Sequence, residues 1–147
     1  MQKNKIKVSE LEWDSATQVL QTLLPTCREF TPDAIAKSAR DLGVSVQFCK
    51  YDGNWELADD ASILSRILPS IEPHEKIIIV TETSFTKSKP FEVTAGDLGE
   101  FIAYHRSTFS ECVVNGDLIM IVPGRKLIGM FHHEGYFAIL DIDKQSV

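Results

Sequence analysis

Apolar positions along this chain change period several times, and each change marks an element. From Asp117 to Ile142, DLIMIVPGRKLIGMFHHEGYFAILDI reads as three strands joined by two short turns. Pro123 to Lys126 is expected to form a four-residue turn, and Glu134 with Gly135 a two-residue one. Val122 then opposes Leu127, and His133 opposes Tyr136. In that register Ile119, Ile121, Ile128, Met130, His132, Phe137 and Ile139 share one face. The other face is also mostly apolar, so each face needs a covering layer.

Upstream, a short strand is expected at Ile6 to Val8. Asp14 is placed to cap a helix in which Ala16, Val19, Leu20, Leu23 and Leu24 recur at helical spacing, ended by Pro25. Thr31 as cap, Pro32 at the first helical position and Gly43 as stop define a second helix, with Ile35, Ala39 and Leu42 inward. Val44, Val46 and Phe48 alternate with polar residues as in a half-buried strand. Asp52, Gly53 and Asn54 would turn it into a second strand at Trp55 to Leu57. Asp59 or Asp60 caps a helix bearing Ile63, Leu64, Ile67 and Leu68, stopped by Pro69. The unbroken run Ile77 to Val80 suits a central strand covered on both faces.

Thr83 to Pro90 is polar and reads as a loop. Thr94 and Asp97 resemble a capping box opening a helix with Leu98, Phe101, Ile102 and His105 on one stripe, and Gly96 and Gly99 suit close packing. This order predicts one α+β domain over residues 1–147: a mainly antiparallel sheet with a C-terminal three-stranded meander and helices packed on it.

At 147 residues and 44% hydrophobic, the chain can bury a core without a metal or disulfide staple. Its net charge of -6 is uneven. Between Tyr51 and Glu100, ten carboxylates face only Arg66, Lys76, Lys87 and Lys89. A surface of that sign disfavours direct nucleic-acid binding, which draws its affinity from cations neutralising phosphates. No signal-peptide pattern or membrane-length apolar run occurs, so a soluble, cytoplasmic protein without membrane association is expected. Cys27, Cys49 and Cys112 lack paired metal-ligand spacing and are expected to be buried, reduced thiols.

The catalytic candidates are few. The meander register sets Asp117 beside His132, where the carboxylate could orient the ring as in a general-base dyad, with His105 approaching from the preceding helix. Strand-end polar residues meeting water account for the same pattern. A metal held by His132, His133 and Glu134 is disfavoured, because adjacent strand residues point to opposite faces. No phosphate-cradling glycine loop, nucleophile elbow or zinc-protease motif is present, and no cofactor is expected.

A second group is acidic. Asp52, Glu56, Asp59 and Asp60, with Glu72 and Glu75 further on, surround Trp55 and Tyr51. An exposed aromatic ringed by charge of one sign is how a protein-binding hot spot is built, and Trp55 is the residue whose burial decides it. Charge reversal at Asp59 and Asp60 is expected to leave folding intact.

In size, acidity and its C-terminal stretch GDLIMIVPGRKLIGMFHHEGYFAILDI, the chain resembles the small immunity proteins that bacteria co-produce with polymorphic or contact-dependent toxins. The resemblance implies a cytoplasmic inhibitor whose acidic face covers a basic toxin active site, often that of a nuclease, with electrostatically steered association. It transfers no residue role. Other classes fit the same composition: a secretion or effector chaperone, a phage or accessory regulatory protein, and a small enzyme using Asp117 and His132.

Overall fold

The computed structural model describes residues 8–68 and 71–144. Its elements in chain order are β1 (Ser9–Glu10), α1 (Trp13–Leu23), α2 (Pro32–Asp41), β2 (Cys49–Lys50), α3 (Asp60–Ile67), β3 (Lys76–Val80), α4 (Glu82–Thr86), β4 (Phe91–Thr94), α5 (Leu98–Phe109), β5 (Leu118–Val122), β6 (Leu127–His132) and β7 (Tyr136–Asp141). The strands form one antiparallel sheet in the order β1-β4-β3-β5-β6-β7-β2. The fold is α+β, and β5, β6 and β7 are the expected meander.

Both sheet faces are apolar, and both are covered. On one side, Ile78, Val80, Ile119, Ile121, Ile128, Met130, Ala138 and Leu140 pack with Leu20 and Leu24 of the α1 region and Ile35 and Ala39 of α2. On the other, Ile77, Ile79, Phe91, Val93, Leu118, Met120, Val122 and Phe131 pack with Ile63 and Ile67 of α3 and Phe101 of α5. Ile77 to Val80 supplies both layers by alternation, as a central strand must. At about 1.5–3 kcal/mol for each large apolar side chain fully buried, the two clusters are what offsets the cost of ordering the chain. α3 lies directly on the backbone of β6: a Cβ at Gly129 would fall 2.2 Å from Cγ2 of Ile67.

The helix signals performed unevenly. Thr31 caps α2 by accepting the N–H of Ala34, Pro32 opens it, and Gly43 follows its end at φ +83°. Asp59 caps α3 through the N–H of Ser62 at 2.8 Å. Asp14 is not a cap: α1 starts earlier, at Trp13, after Glu12 and without a side-chain cap. Leu42 is 37% exposed rather than inward, since it lies just beyond the last turn of α2. Thr94 and Asp97 bond side chain to side chain at 2.9 Å, and α5 begins at Leu98 without the expected box. Gly96 does pack closely, 3.2 Å from Pro73 for an added Cβ, whereas Gly99 faces open space.

Three expectations need larger correction. Thr83 to Pro90 is not all loop; it includes most of α4, whose capping box is made by Thr81 and Ser84, and β4 follows it directly. The hairpin at Val44 to Leu57 does not form. Val44, Val46 and Phe48 do pack on the core, but Val44 makes only an isolated bridge, Cys49 and Lys50 pair with β7, and Trp55–Leu57 is a 3-10 turn capped by Asn54. The expected strand at Ile6 to Val8 falls mostly outside the described residues, as does Pro69, and β1 begins at Ser9.

The meander itself is right at one turn and shifted at the other. Val122 pairs with Leu127 as expected. At the second turn His132, not His133, pairs with Tyr136, leaving His133, Glu134 and Gly135 as a three-residue turn. Gly135 takes φ +92° there, the left-handed third position that such turns require. The one-residue change flips β7, so Ala138 and Leu140 face α1 and α2 while Phe137 turns to the α3 side.

Candidate functional site

Chemistry-bearing side chains gather in three places around the Leu118–Phe131 end of the sheet. The first is a shoulder formed by residues 51–59. Asn54 accepts the Glu56 N–H at 3.0 Å and closes the turn of Trp55–Leu57. Trp55 is half-buried, its ring edge-on to Phe131 with centroids 5.2 Å apart and against Gly135. Tyr51 also leans on Phe131, with the Arg66 guanidinium 5.9 Å above its ring. Leu57 projects outward, 85% exposed.

The acidic residues around Trp55 divide by role. Asp52, Glu56 and Asp59 are exposed, and none of the three forms a salt bridge among the described residues. The Ser62 hydroxyl and N–H both favour the charged form of Asp59 and lower its pKa. Glu72 and Glu75 lie elsewhere. They precede β3 at the opposite sheet end, where Glu75 accepts the Glu72 N–H at 2.9 Å and meets Arg125 at 3.5 Å. Asp60 is not on the surface at all. It is buried and accepts the N–H groups of Val113 and Val114 at 2.8 and 3.1 Å, so the double reversal of Asp59 and Asp60 would strike the fold as well as the surface.

Beside the shoulder lies a groove of about 490 Å³, lined by Leu57, Ala58 and Ile102 and rimmed by Glu56, Asp59 and Arg106. Its walls are part apolar and part polar, and its rim carries mixed charge.

The second place is the interior around His105, which is fully buried against the rings of Phe91, Phe101 and Phe109. Its Nδ1 bonds the Glu111 carbonyl at 2.8 Å and its Nε2 reaches the Thr81 hydroxyl at 3.5 Å. Burial outweighs the nearby Asp60 and Glu111 carboxylates and lowers its pKa. The Glu111 carboxylate in turn is bound by the Thr83 hydroxyl and by Lys87 at 3.0 Å, which lower its pKa. Every polar group in this set is satisfied within the protein. His105 faces the α3–α5 layer rather than Asp117, so it does not join the expected dyad.

The third place is the turn between β6 and β7. Asp117 lies just before β5, and its Oδ1 accepts both the backbone N–H and the Nδ1–H of His133, each at 2.8 Å. The pairing partner is therefore His133, not His132, because the longer turn carries His133 back over Asp117. This hydrogen bond raises the His133 pKa. His132 accepts the Glu134 N–H on Nδ1 at 3.1 Å and stacks on His133 at 4.3 Å between centroids. The argument from strand alternation against neighbouring histidines fails here, since His133 belongs to the turn. Glu82 fixes the approach of the chain: it accepts the Asp117 N–H at 3.1 Å and leaves no room for a side chain at Gly116.

The three residues open onto a cleft of about 740 Å³ bounded by the α1–α2 connection and α2, with Glu29, Asp33, Asp41, Arg28 and Lys37 in its walls. A carboxylate-oriented imidazole at such a cleft can serve as a general base, and its donor atoms can also take a cation.

Sequence reasoning missed Leu57, Glu82 and the role of His133. Leu57 carried no signal once Trp55–Leu57 was read as a strand. The turn Asp52–Gly53–Asn54 with its possible Asn54 cap was the available clue. The cysteines also differ from expectation: Cys27 is buried, Cys112 half-buried and Cys49 exposed on an edge strand, all as free thiols. Among the described residues, no helix is long and apolar enough to cross a membrane. No family model, curated protein or solved structure matches the chain.

Proposed function

We propose that this protein is a protein-binding inhibitor of the immunity type, which neutralises a basic toxin by covering it with the acidic shoulder of residues 52–59. The observation that carries the reading is Leu57, an 85% exposed leucine on a capped turn, flanked by Asp52, Glu56 and Asp59. Exposed leucine is ordinary in isolation; set beside a partly apolar groove, with Glu56, Asp59 and Arg106 at its rim, it has the composition of an interface centre. Trp55, pinned against Phe131, holds the turn in place before binding, which reduces the ordering cost of association. The partner that complements this surface presents an apolar side chain to the groove and cations to its rim, and the carboxylates steer its approach.

The test is affinity capture from the source cell at low and high salt, with the wild-type protein and an E56K/L57S variant side by side. The reading expects one basic protein retained by the wild type, released by salt and absent from the variant. Identical retention by both proteins, or retention indifferent to salt, removes the shoulder from the account.

One observation favours a second reading as a small enzyme: the Asp117–His133 pair opens onto the larger cleft. In that case His133, oriented by Asp117, is the base. H133A would then abolish turnover of a substrate while leaving partner capture unchanged.

A further inference from the structure

Asp117, His132 and His133 each offer one ligand atom, and the three atoms lie within 4.8 Å of one another. The residues come from two chain segments, the start of β5 and the turn after β6, and the sheet register brings them together. The pairing of Leu118 with Phe131 fixes their separation, so the cluster is a consequence of the fold and not of one flexible loop.

We propose that these three side chains bind a divalent transition-metal ion of the Zn2+ or Co2+ class, with its remaining coordination positions open to the cleft beside α2. The donor set decides the class: two imidazoles and one carboxylate suit Zn2+, Co2+, Ni2+ or Fe2+, whereas Mg2+ and Ca2+ take oxygen ligands. Three protein ligands with one side left open is the arrangement of an exchangeable site, not of a closed structural one. Ligands about 2.1 Å from a tetrahedral centre lie about 3.4 Å apart, so the cluster must close by roughly an ångström. Side-chain rotation supplies this. An ion must lie in the plane of each ring it binds, so the stack of His132 on His133 has to open. His133 can turn once its Nδ1–H bond to Asp117 is given up, its side chain being 56% exposed.

The surroundings favour a cation. Oδ1 of Asp117 takes both hydrogen bonds from His133, and none reaches Oδ2 among the described residues. The Asp117 backbone is anchored to Glu82, which positions the carboxylate before any ion arrives. Across the cleft, Glu29, Asp33 and Asp41 join Asp117 against Arg28 and Lys37, an excess of negative charge. Coordination by Nδ1 of His132 would replace the bond it now accepts from the Glu134 N–H. This inference is independent of the partner surface at Leu57.

Zn2+ competition against a chromophoric chelator, and Co2+ absorption spectroscopy, test it on tag-free protein. One equivalent of Zn2+ is expected to bind. H132A and H133A should each weaken binding by roughly tenfold or more, while H74A, at an exposed histidine outside the cluster, leaves it unchanged. The Co2+ spectrum should lack a thiolate charge-transfer band, which excludes the cysteines as ligands. D117N, nearly isosteric, serves where an alanine variant fails to fold, with folding followed by circular dichroism. Absence of Zn2+ binding by the wild type, undiminished binding by an H132A/H133A variant that folds, or a thiolate band overturns the assignment.

Discussion

Asp59 stands on a shoulder whose exposed carboxylates make no salt bridges among the described residues, whereas Asp60, the next residue, is sealed against the segment leading into β5. The shoulder side ends in solvent, with Leu57 uncovered, Glu56 and Asp59 lining the same groove, and Asp52 exposed earlier in the same segment. The interior side continues through Val113 and Val114 to Glu111 and His105, where each polar group has a partner. The same residue types thus do opposite work across a single peptide bond. Acidic density in a sequence does not measure surface charge, because some carboxylates are hydrogen-bond acceptors for buried backbone.

The largest effect that sharpens this contrast is expected from D60A. It leaves the N–H groups of Val113 and Val114 buried without an acceptor, at a cost of about 2–4 kcal/mol. For a chain of this size that lowers Tm by roughly 10 °C, measurable by calorimetry. A shift of only a degree or two would mean that the segment finds other partners and that the interior is less closed than drawn.

His105 comes next, through pH. Its pKa is lowered by burial, so the folded protein keeps the ring neutral where the unfolded chain takes up a proton. The His105 contribution to stability therefore falls as pH drops below about 6.5, by at most about 1.4 kcal/mol per pH unit until the folded pKa is reached, while His133, whose pKa is raised, contributes in the opposite direction. H105Q removes that contribution, and denaturant midpoints measured across this range should show a shallower decline in the variant. An unchanged slope would assign the acid sensitivity to groups other than His105; Glu111 is not among them in this range, since its lowered pKa acts only at more acidic pH.

How much of this was legible in the sequence follows the same division. Where one reading alone satisfied the pattern, the sequence sufficed: Ile77 to Val80 could only be a doubly covered strand, and Thr31, Pro32 and Gly43 mark α2 from both ends. β7 was ambiguous for a physical reason. Phe137 and Ile139 on one face and Ala138 and Leu140 on the other are all apolar, so hydrophobic alternation could not choose between a two- and a three-residue turn. That single residue moved the Asp117 partner from His132 to His133. Trp55–Leu57 misled in another way, because the Asp52–Gly53–Asn54 turn signal reads as a hairpin, whereas Asn54 and packing on Phe131 hold the segment in a 3-10 turn. Asp60 was invisible as a structural group because its partners lie over fifty residues away.

On the outer side the expected stability effects shrink while the binding effects grow. D59A removes the N-cap of α3 and should cost about 1 kcal/mol, read from the same midpoints. A loss above about 2 kcal/mol would make Asp59 as structural as its neighbour. L57S should change stability by less than about 0.5 kcal/mol, since its side chain is already in water. A large loss there would mean that Leu57 supports the fold and is not held ready for a partner.

Amide hydrogen exchange of the protein, alone and with the partner that it captures, tests the central claim most directly. The account predicts new protection concentrated at residues 52–59 and at the facing turn of α5 around Ile102, with the interior around Val113 and Val114 unchanged. Residues 52–59 exchanging as before while protection appears along the α2 cleft and the His132–Glu134 turn would contradict it.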